Sequence, residues 1–327
     1  MAKKVRISLL GYHPPSAAFG GDYEAHVSQM QNYLAAQLRE VLPDHPDLIV
    51  VPEACDRFPA FTMEQRKEYY RVRGDRIRDF YSDIAKKHNC YIAYSACRYL
   101  PEESVNPFRN CTQIIGRDGK VAGVYNKNHL VPSELDIGEI AYGTEAPVFE
   151  LDFGRVGCAI CFDLNYMELM RRYAEQKPQL ILFSSMYHGG LVQQEWAYNC
   201  RAYFAGAICG DQCRVLNPFG EEQFTSTNYQ RYITGTVNLD YMLAHIDHNR
   251  AEGKFRAAKE KYGEILIIHD PGHVGAVMLT YEGTDKTVWD IVKEFEIEPL
   301  DDYFNRCRAH RAAGIARAAD ITREETV

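Results

Sequence analysis

The sequence lacks several features that would place it outside the ordinary globular proteins. It contains no run of 18 apolar residues, so we expect a soluble protein without membrane partners. It has no internal repeat, low-complexity segment or block of like charge, which argues against repeat architectures and disorder. The remaining picture is a chain of 327 residues with 46% apolar residues, enough for a large core. Its net charge of −8 gives no reason to expect nucleic acid as a partner.

We also expect no export signal in the first residues of the chain. A short apolar run follows two lysines, but His13, Pro14 and Pro15 interrupt it. The ten cysteines are therefore expected to be reduced thiols in a cytoplasmic protein, and most should be small buried apolar side chains.

Strand and helix patterns alternate from Val5 to Leu239 without a linker. Apolar spacing predicts an amphipathic helix within 27–41, and the apolar run 47–51 predicts a strand buried on both faces. Turn residues at 117–120 and 152–154 predict two hairpins. Thr62 and Gln65 can form a capping box, after which an amphipathic helical pattern reaches Lys87. Further helices are predicted over 167–176, 192–204 and 285–295. This alternation is typical of layered α/β proteins.

Three residues capable of chemistry lie directly after predicted strands, namely Glu53, Lys127 and Cys161. The carboxyl edge of a sheet is where layered α/β folds usually place their sites, so we expect the three side chains to share one pocket. A nearby ammonium and a helix N-terminus would stabilise the Cys161 thiolate as a nucleophile. Glu53 would relay the protons, and Lys127 would donate to the oxyanion together with a backbone N–H after Cys161.

Two other classes of protein fit some of the same residues. Cys158, Cys161, Cys209 and Cys213 are candidates for a structural zinc site, although residues three apart on a strand point to opposite faces. A binding protein that keeps the fold without turnover is the other alternative. Against it, all three residue types needed for covalent catalysis are present.

Three segments carry a resemblance to a known family. Val51-Pro52-Glu53, residues 125–130 and residues 157–163 resemble, in order, the base, lysine and nucleophile motifs of the nitrilase superfamily of carbon-nitrogen hydrolases. The resemblance implies a four-layer αββα sandwich and a Glu-Lys-Cys triad. It implies no cofactor and no metal, and assembly as a homodimer or larger homo-oligomer. We expect one such domain over residues 1–280 and a helical C-terminal extension over 281–327 at a subunit interface.

Members of this superfamily also tend to have a second glutamate shortly after the lysine. Glu134 is the expected counterpart here, and Glu139 competes with it on spacing alone. An Arg-Ala pair on a later helix is another common feature, found here as Arg201-Ala202, but the acid and Asn that usually follow are absent.

The substrate is predicted only as a class. Phe162-Asp163 after the nucleophile resembles amidases and carbamoyl hydrolases more than nitrilases, so a small amide or N-carbamoyl compound is favoured and a nitrile is the alternative. Water is the second substrate, and ammonia or an amine is released. Arg57, Arg109 and Arg201 are candidates for binding a substrate carboxylate. The predicted substrate-binding residues are Phe162, Asn165, Tyr187, His188 and Arg57.

Overall fold

The computed structural model describes residues 2–324, with side chains as far as Arg317. Its strands are β1 (Lys4–Leu10), β2 (Leu48–Val50), β3 (Tyr91–Tyr99), β4 (Phe108–Ile115), β5 (Val121–Asn126), β6 (Phe149–Leu151), β7 (Gly154–Ile160), β8 (Leu180–Ser185), β9 (Tyr203–Ile208), β10 (Arg214–Leu216), β11 (Glu222–Thr225), β12 (Tyr232–Asn238), β13 (Tyr241–His245), β14 (Leu266–His269) and β15 (Ala276–Tyr281). Its α-helices are α1 (Tyr23–Val41), α2 (Met63–Arg73), α3 (Arg76–His88), α4 (Pro132–Asp136), α5 (Met167–Gln176), α6 (Leu191–Cys200), α7 (Asp247–Ala251), α8 (Lys254–Tyr262), α9 (Val288–Glu294) and α10 (Leu300–Glu324).

The described chain divides into two compact units. Residues 5–237 form one unit, and the chain on either side of them forms the other. The predicted domain boundary after residue 280 stays a prediction. No helix in the described part of the chain is both long and apolar enough to cross a membrane.

The larger unit contains two six-stranded sheets. The first has the order β12-β1-β2-β3-β4-β5, with β1, β2 and β3 parallel and the β3-β4-β5 meander antiparallel. The second has the order β11-β10-β9-β8-β7-β6, with β7, β8 and β9 parallel. Parallel strands of this kind need helical crossovers, which cover the outer faces of the sheets.

The helices cover the first sheet as the apolar spacing predicts. Val27, Met30, Leu34, Leu38 and Val41 of α1 are all buried, and they share one core cluster with residues of α3 and the strands. Thr62 caps α2, as the sequence indicates: its hydroxyl accepts from the backbone N–H of Gln65, and its own N–H donates to the Gln65 side chain.

The second sheet is covered by α5 and α6, and the two sheets face each other. The buried Trp196 of α6 and Tyr173 of α5 pack together with ring centroids 6.3 Å apart. Between the sheets, Ser184 donates a hydrogen bond of 2.8 Å to the carbonyl of Val51. The predicted αββα sandwich is thus confirmed.

The smaller unit has its own sheet, of order β13-β15-β14, and its own apolar cluster, which includes residues of α8 and α9. Helix α10 follows, and its residues 305–317 are exposed. A helical C-terminal region is therefore present, as expected.

Two helix boundaries differ from the sequence prediction. The pattern reaching from Thr62 to Lys87 is two helices, because Gly74, with φ +53°, ends α2. The helix predicted over 192–204 ends at Cys200, and Arg201 adopts φ +54°. Tyr203 and Phe204 then begin strand β9, which pairs with β8.

Candidate active site

Glu53 lies just past β2 and is 4% exposed. The next residue, Ala54, adopts the left-handed φ of +49°, which turns the chain sharply after the strand. One carboxylate oxygen of Glu53, Oε1, accepts hydrogen bonds from Lys127 Nζ at 2.8 Å and from Asn110 Nδ2 at 2.7 Å. The carboxylate is therefore both buried and firmly held.

Lys127 directly follows β5 and is 2% exposed. Its ammonium also donates to Glu134 Oε2, at 2.9 Å. Both interactions join opposite charges away from water, where the Coulomb attraction between them is strongest. An ammonium has three N–H donors, so these two bonds leave one for a ligand.

Glu134, and not Glu139, is the glutamate that contacts Lys127. It lies in α4, where its side chain also accepts a hydrogen bond of 2.9 Å from the backbone N–H of Val131. Glu139 instead forms an ion pair with Lys67 at 2.7 Å. The geometry thus separates two candidates that sequence spacing leaves equivalent.

Asn110 completes the cluster, and sequence reasoning missed it. This residue of β4 is 7% exposed, and its amide donates to Glu53 Oε1 at 2.7 Å and to Glu134 Oε1 at 2.8 Å. Its backbone carbonyl accepts from the backbone N–H of Lys127 at 2.8 Å. Asn110 therefore bridges the two carboxylates that flank the ammonium. No pattern in the sequence distinguished Asn110, because it stands among other polar residues of β4, such as Arg109 and Thr112.

Cys161 begins the short 3-10 helix Cys161–Asn165 directly after β7. Its φ of +48° is unusual for a residue with a side chain and stores strain of about 1–3 kcal/mol. The thiol lines the same cavity as Glu53, Lys127 and Met186. Strand ends from both sheets thus place the three predicted residues together.

The charges at the cluster favour a protonated thiol in the resting protein. Burial, then the negative charge of Glu53, raises the pKa of Cys161 to about 12, while the ammonium of Lys127 opposes this rise. The expectation of a stabilised thiolate is therefore not what this geometry favours. The neutral thiol instead lies at the same cavity as a ready proton acceptor, the carboxylate of Glu53.

The pKa values of the two charged neighbours of the thiol are shifted in opposite directions. Burial by itself would raise the pKa of Glu53, but the charge and hydrogen bond of Lys127 and further hydrogen bonds lower it. Burial would lower the pKa of Lys127, yet the neighbouring carboxylates raise it above its usual value. Carboxylate and ammonium are thus both ionised at neutral pH.

A buried aspartate ties the nucleophile segment to the lysine segment. Asp163 Oδ2 accepts from the Tyr125 hydroxyl at 2.6 Å and from the backbone N–H of Ile160 at 3.0 Å. Asp163 Oδ1 accepts from the backbone N–H of His129 at 2.8 Å. Since Ile160 precedes Cys161 while Tyr125 and His129 flank Lys127, one carboxylate fixes the spacing of both segments.

The cluster opens into a cavity of about 310 Å³. Glu53, Lys127 and Cys161 line it, together with apolar side chains such as Ile140 and Met186. Such a volume suits a small molecule rather than a polymer.

The predicted substrate-binding residues are only partly at this cavity. Arg57 lines it, whereas Phe162, Asn165, Tyr187 and His188 do not. Burial raises the pKa of Tyr187 to about 12, and a thiolate at the nearby Cys161 would contribute to this rise. In the same segment, Met186 is the lining residue.

The other two predicted arginines lie elsewhere. Arg109 pairs with Glu103 and donates to backbone carbonyls. Arg201 donates a hydrogen bond of 2.5 Å to the carbonyl of Tyr198 and lies over the ring of that residue. Neither lines the cavity, so a substrate held there would meet Arg57 but not these two.

The zinc alternative has no supporting geometry. Within the described side chains, no group of three or more His, Cys, Asp or Glu residues could hold a metal ion. Cys158 is fully buried in β7, and Cys209 contacts His13 Nδ1 at 3.5 Å. The four cysteines therefore do not converge.

Solved structures of similar fold include enzymes and enzyme-related proteins. Saccharomyces cerevisiae Nit3, a member of branch 10 of the nitrilase superfamily, aligns with a TM-score of 0.59 at 17% identity, covering 72% of this chain and 90% of that one. An amidase from Nesterenkonia sp. aligns with the same TM-score, identity and coverage. These alignments show that the chain shares the αββα sandwich of both structures, which defines its fold class.

Sequence comparison agrees with this class. The Carbon-nitrogen hydrolase profile matches residues 6–212, which is more than half of the chain, and the protein belongs to this family. The human omega-amidase NIT2 is 27% identical over 209 residues, covering 56% of this chain and 74% of the human protein. The Danio rerio omega-amidase NIT2 is 24% identical over 247 residues, covering 67% of this chain and 87% of that protein.

Proposed function

We propose that the protein hydrolyses the C–N bond of a small amide or N-carbamoyl compound through a thioester on Cys161. The observation that carries this proposal is the convergence of a thiol, a carboxylate and an ammonium on one small cavity. The names of the omega-amidase relatives support amides as the substrate class.

The first half-reaction forms the thioester. Cys161 Sγ attacks the carbonyl carbon while Glu53 removes the thiol proton, so a thiolate is needed only as the bond forms. The free N–H of Lys127 and a backbone N–H after Cys161 stabilise the oxyanion. Glu53 then returns the proton to the departing nitrogen, the C–N bond breaks, and ammonia or an amine leaves.

The second half-reaction releases the acid. Glu53 accepts a proton from water as the water oxygen attacks the thioester carbon. The C–S bond breaks and Glu53 returns the proton to sulfur, which restores the starting thiol. Glu134 and Asn110 act as positioning residues, because they hold the ammonium and the carboxylate in place throughout.

The test measures ammonia released from a panel of amides, ureido acids and nitriles. Cys161→Ala should abolish release, because Cys161 is the thiol on which both Glu53 and Lys127 act, whereas Cys97, the other cysteine that lines the cavity, is buried. Cys307→Ala, an exposed cysteine on α10, is the matched control and should keep full activity. Intact-protein mass spectrometry should detect an acyl adduct on the wild type that the Cys161→Ala variant cannot form.

Two results would contradict the proposal. Undiminished amide hydrolysis by Cys161→Ala would show that Cys161 is not the nucleophile. Turnover of nitriles without turnover of amides would replace the substrate class while leaving the site intact.

A further inference from the structure

The charges that line the cavity are not balanced. Its charged lining residues are four cations and two carboxylates, namely Arg57, Arg66, Lys67, Lys127, Glu53 and Glu134. Lys127 is neutralised by the two glutamates, and Lys67 by Glu139 and Glu64 outside the lining. Two arginines therefore remain without a carboxylate partner among the described residues.

Each of these two arginines has a buried hydrogen-bond donor without a partner among the described residues. The Nε atoms of both Arg57 and Arg66 are buried and have no hydrogen-bond partner. One terminal nitrogen of Arg57 contacts only the thioether sulfur of Met186, at 3.7 Å, and one of Arg66 donates to the carbonyl of Pro59 at 2.6 Å. Buried donors without partners are costly unless a ligand satisfies them.

Another buried arginine, on the same helix as Arg66, has its guanidinium paired. Arg73 ends the same helix as Arg66, and it pairs with the buried carboxylate of Asp56 and with the carbonyl of Cys97. Burial, and then the positive charge of Arg57, lowers the pKa of Arg66, which agrees with two like charges lying close together. Such a pair is stabilised by an anion between or beside its members.

We propose that Arg57 and Arg66 bind a carboxylate of the substrate, so that the preferred substrate is an amide with a carboxylate at its other end. This inference rests on the proposed function and specifies its substrate class. The planar guanidinium matches a carboxylate in a bidentate geometry, which a lysine cannot reproduce. Because the arginines and Cys161 line one cavity, a short monoamide of a dicarboxylic acid can reach both.

The test compares monoamides of four- to six-carbon dicarboxylic acids with neutral alkyl amides of the same length. The wild type should prefer the acidic amide, measured as the ratio of kcat/KM values. Arg57→Gln and Arg66→Gln should each reduce this ratio roughly 30-fold or more, because each leaves the carboxylate without one charged partner. Arg66→Lys, which keeps the charge but not the fork, should reduce it less.

The matched control is Arg71→Gln. Arg71 lies on the same helix as Arg66, pairs with Glu68 and does not line the cavity, so the ratio should stay at the wild-type value. Circular dichroism and thermal unfolding show whether each variant is folded. A wild-type ratio near one, or an unchanged ratio in both folded arginine variants, would overturn the inference.

A binding measurement separates this inference from the proposed function. Calorimetric titration of Cys161→Ala with glutarate, a dicarboxylate that needs no turnover, should give binding that Arg66→Gln weakens by a similar factor in the same background. If the wild type hydrolysed no amide, the proposed function would fail, yet arginine-dependent glutarate binding would still support the anion site. Glutarate binding that is absent, or unaffected by Arg66→Gln, would count against it.

Discussion

Replacing Glu53 with Gln is predicted to abolish hydrolysis and, at the same time, to make Cys161 more reactive toward alkylating agents. The substitution preserves side-chain size but removes the proton acceptor and one negative charge. Loss of a general base typically costs about 10²- to 10⁴-fold in rate. The gain in thiol reactivity follows from the same change, because the charge of Glu53 contributes to the raised pKa of Cys161.

The size of this gain follows from the charge interaction. A thiol with a pKa of about 12 is ionised in about one molecule in 10⁴ at pH 8. A unit charge about 4 Å away contributes about 4 kcal/mol at an effective dielectric constant of about 20, which corresponds to about 3 in pKa. Burial remains in the variant, so we expect 10- to 1000-fold more thiolate, stabilised by Lys127, as an order of magnitude.

Alkylation by iodoacetamide, followed from about pH 6 to about pH 10, measures this difference because only the thiolate reacts. The exposed Cys307 also reacts, so the modification must be read on peptides by mass spectrometry. Tryptic cleavage after Arg155 and Arg171 releases a peptide that holds Cys161 and the fully buried Cys158, an internal control. Glu139→Gln, the same change at a carboxylate paired with Lys67, should leave the rate unchanged.

A Cys161 alkylation rate in folded Glu53→Gln at or below that of the wild type would refute the reasoning. Glu53 would then not contribute to the raised pKa of the thiol. A wild-type alkylation profile with a pKa near or below neutrality would refute it independently. That profile would mean that a thiolate-ammonium pair exists before substrate binds.

Four further outcomes are expected. Asn110→Ala should lower kcat about 10-fold or more with little change in KM, measured by steady-state kinetics, because both carboxylates lose their bridge. Lys127→Met should reduce the free energy of unfolding by about 3–5 kcal/mol in urea titrations, since two carboxylates lose their counter-charge. Because the pKa of Glu53 is lowered in the folded protein, its contribution to the free energy of unfolding should be complete above about pH 4.3. That contribution should disappear as the pH falls through the folded pKa, and urea titrations of the wild type and Glu53→Gln would measure it. Light scattering should detect the dimer or larger homo-oligomer that the family resemblance implies, and a monomer at micromolar concentration would contradict it.

The sequence could locate the three central side chains because each follows an apolar strand pattern. Glu53, Lys127 and Cys161 stand where such a pattern stops, and the sandwich brings those strand ends to one cavity. Asn110 was not predictable in this way. Its position depends on the register of β4 against β5, which sets its carbonyl opposite the N–H of Lys127.

Arg66 could not be identified from its spacing, because a charged residue on an amphipathic helix is usually solvated. Only the packing of α2 beside the cavity distinguishes it from Arg71 on the same helix. The misplaced end of α6 has a similar origin. Tyr203 and Phe204 fit both helical and strand patterns, and their pairing with β8 decides between them.

The left-handed backbone at Cys161 has a consequence for how activity can be lost in evolution. Glycine is the residue that this conformation suits best, so a change from cysteine to glycine would remove the proposed nucleophile and relieve backbone strain in one step. The genetic code connects these two amino acids by a single base change. A descendant that folds equally well but lacks the proposed nucleophile therefore lies one base change away.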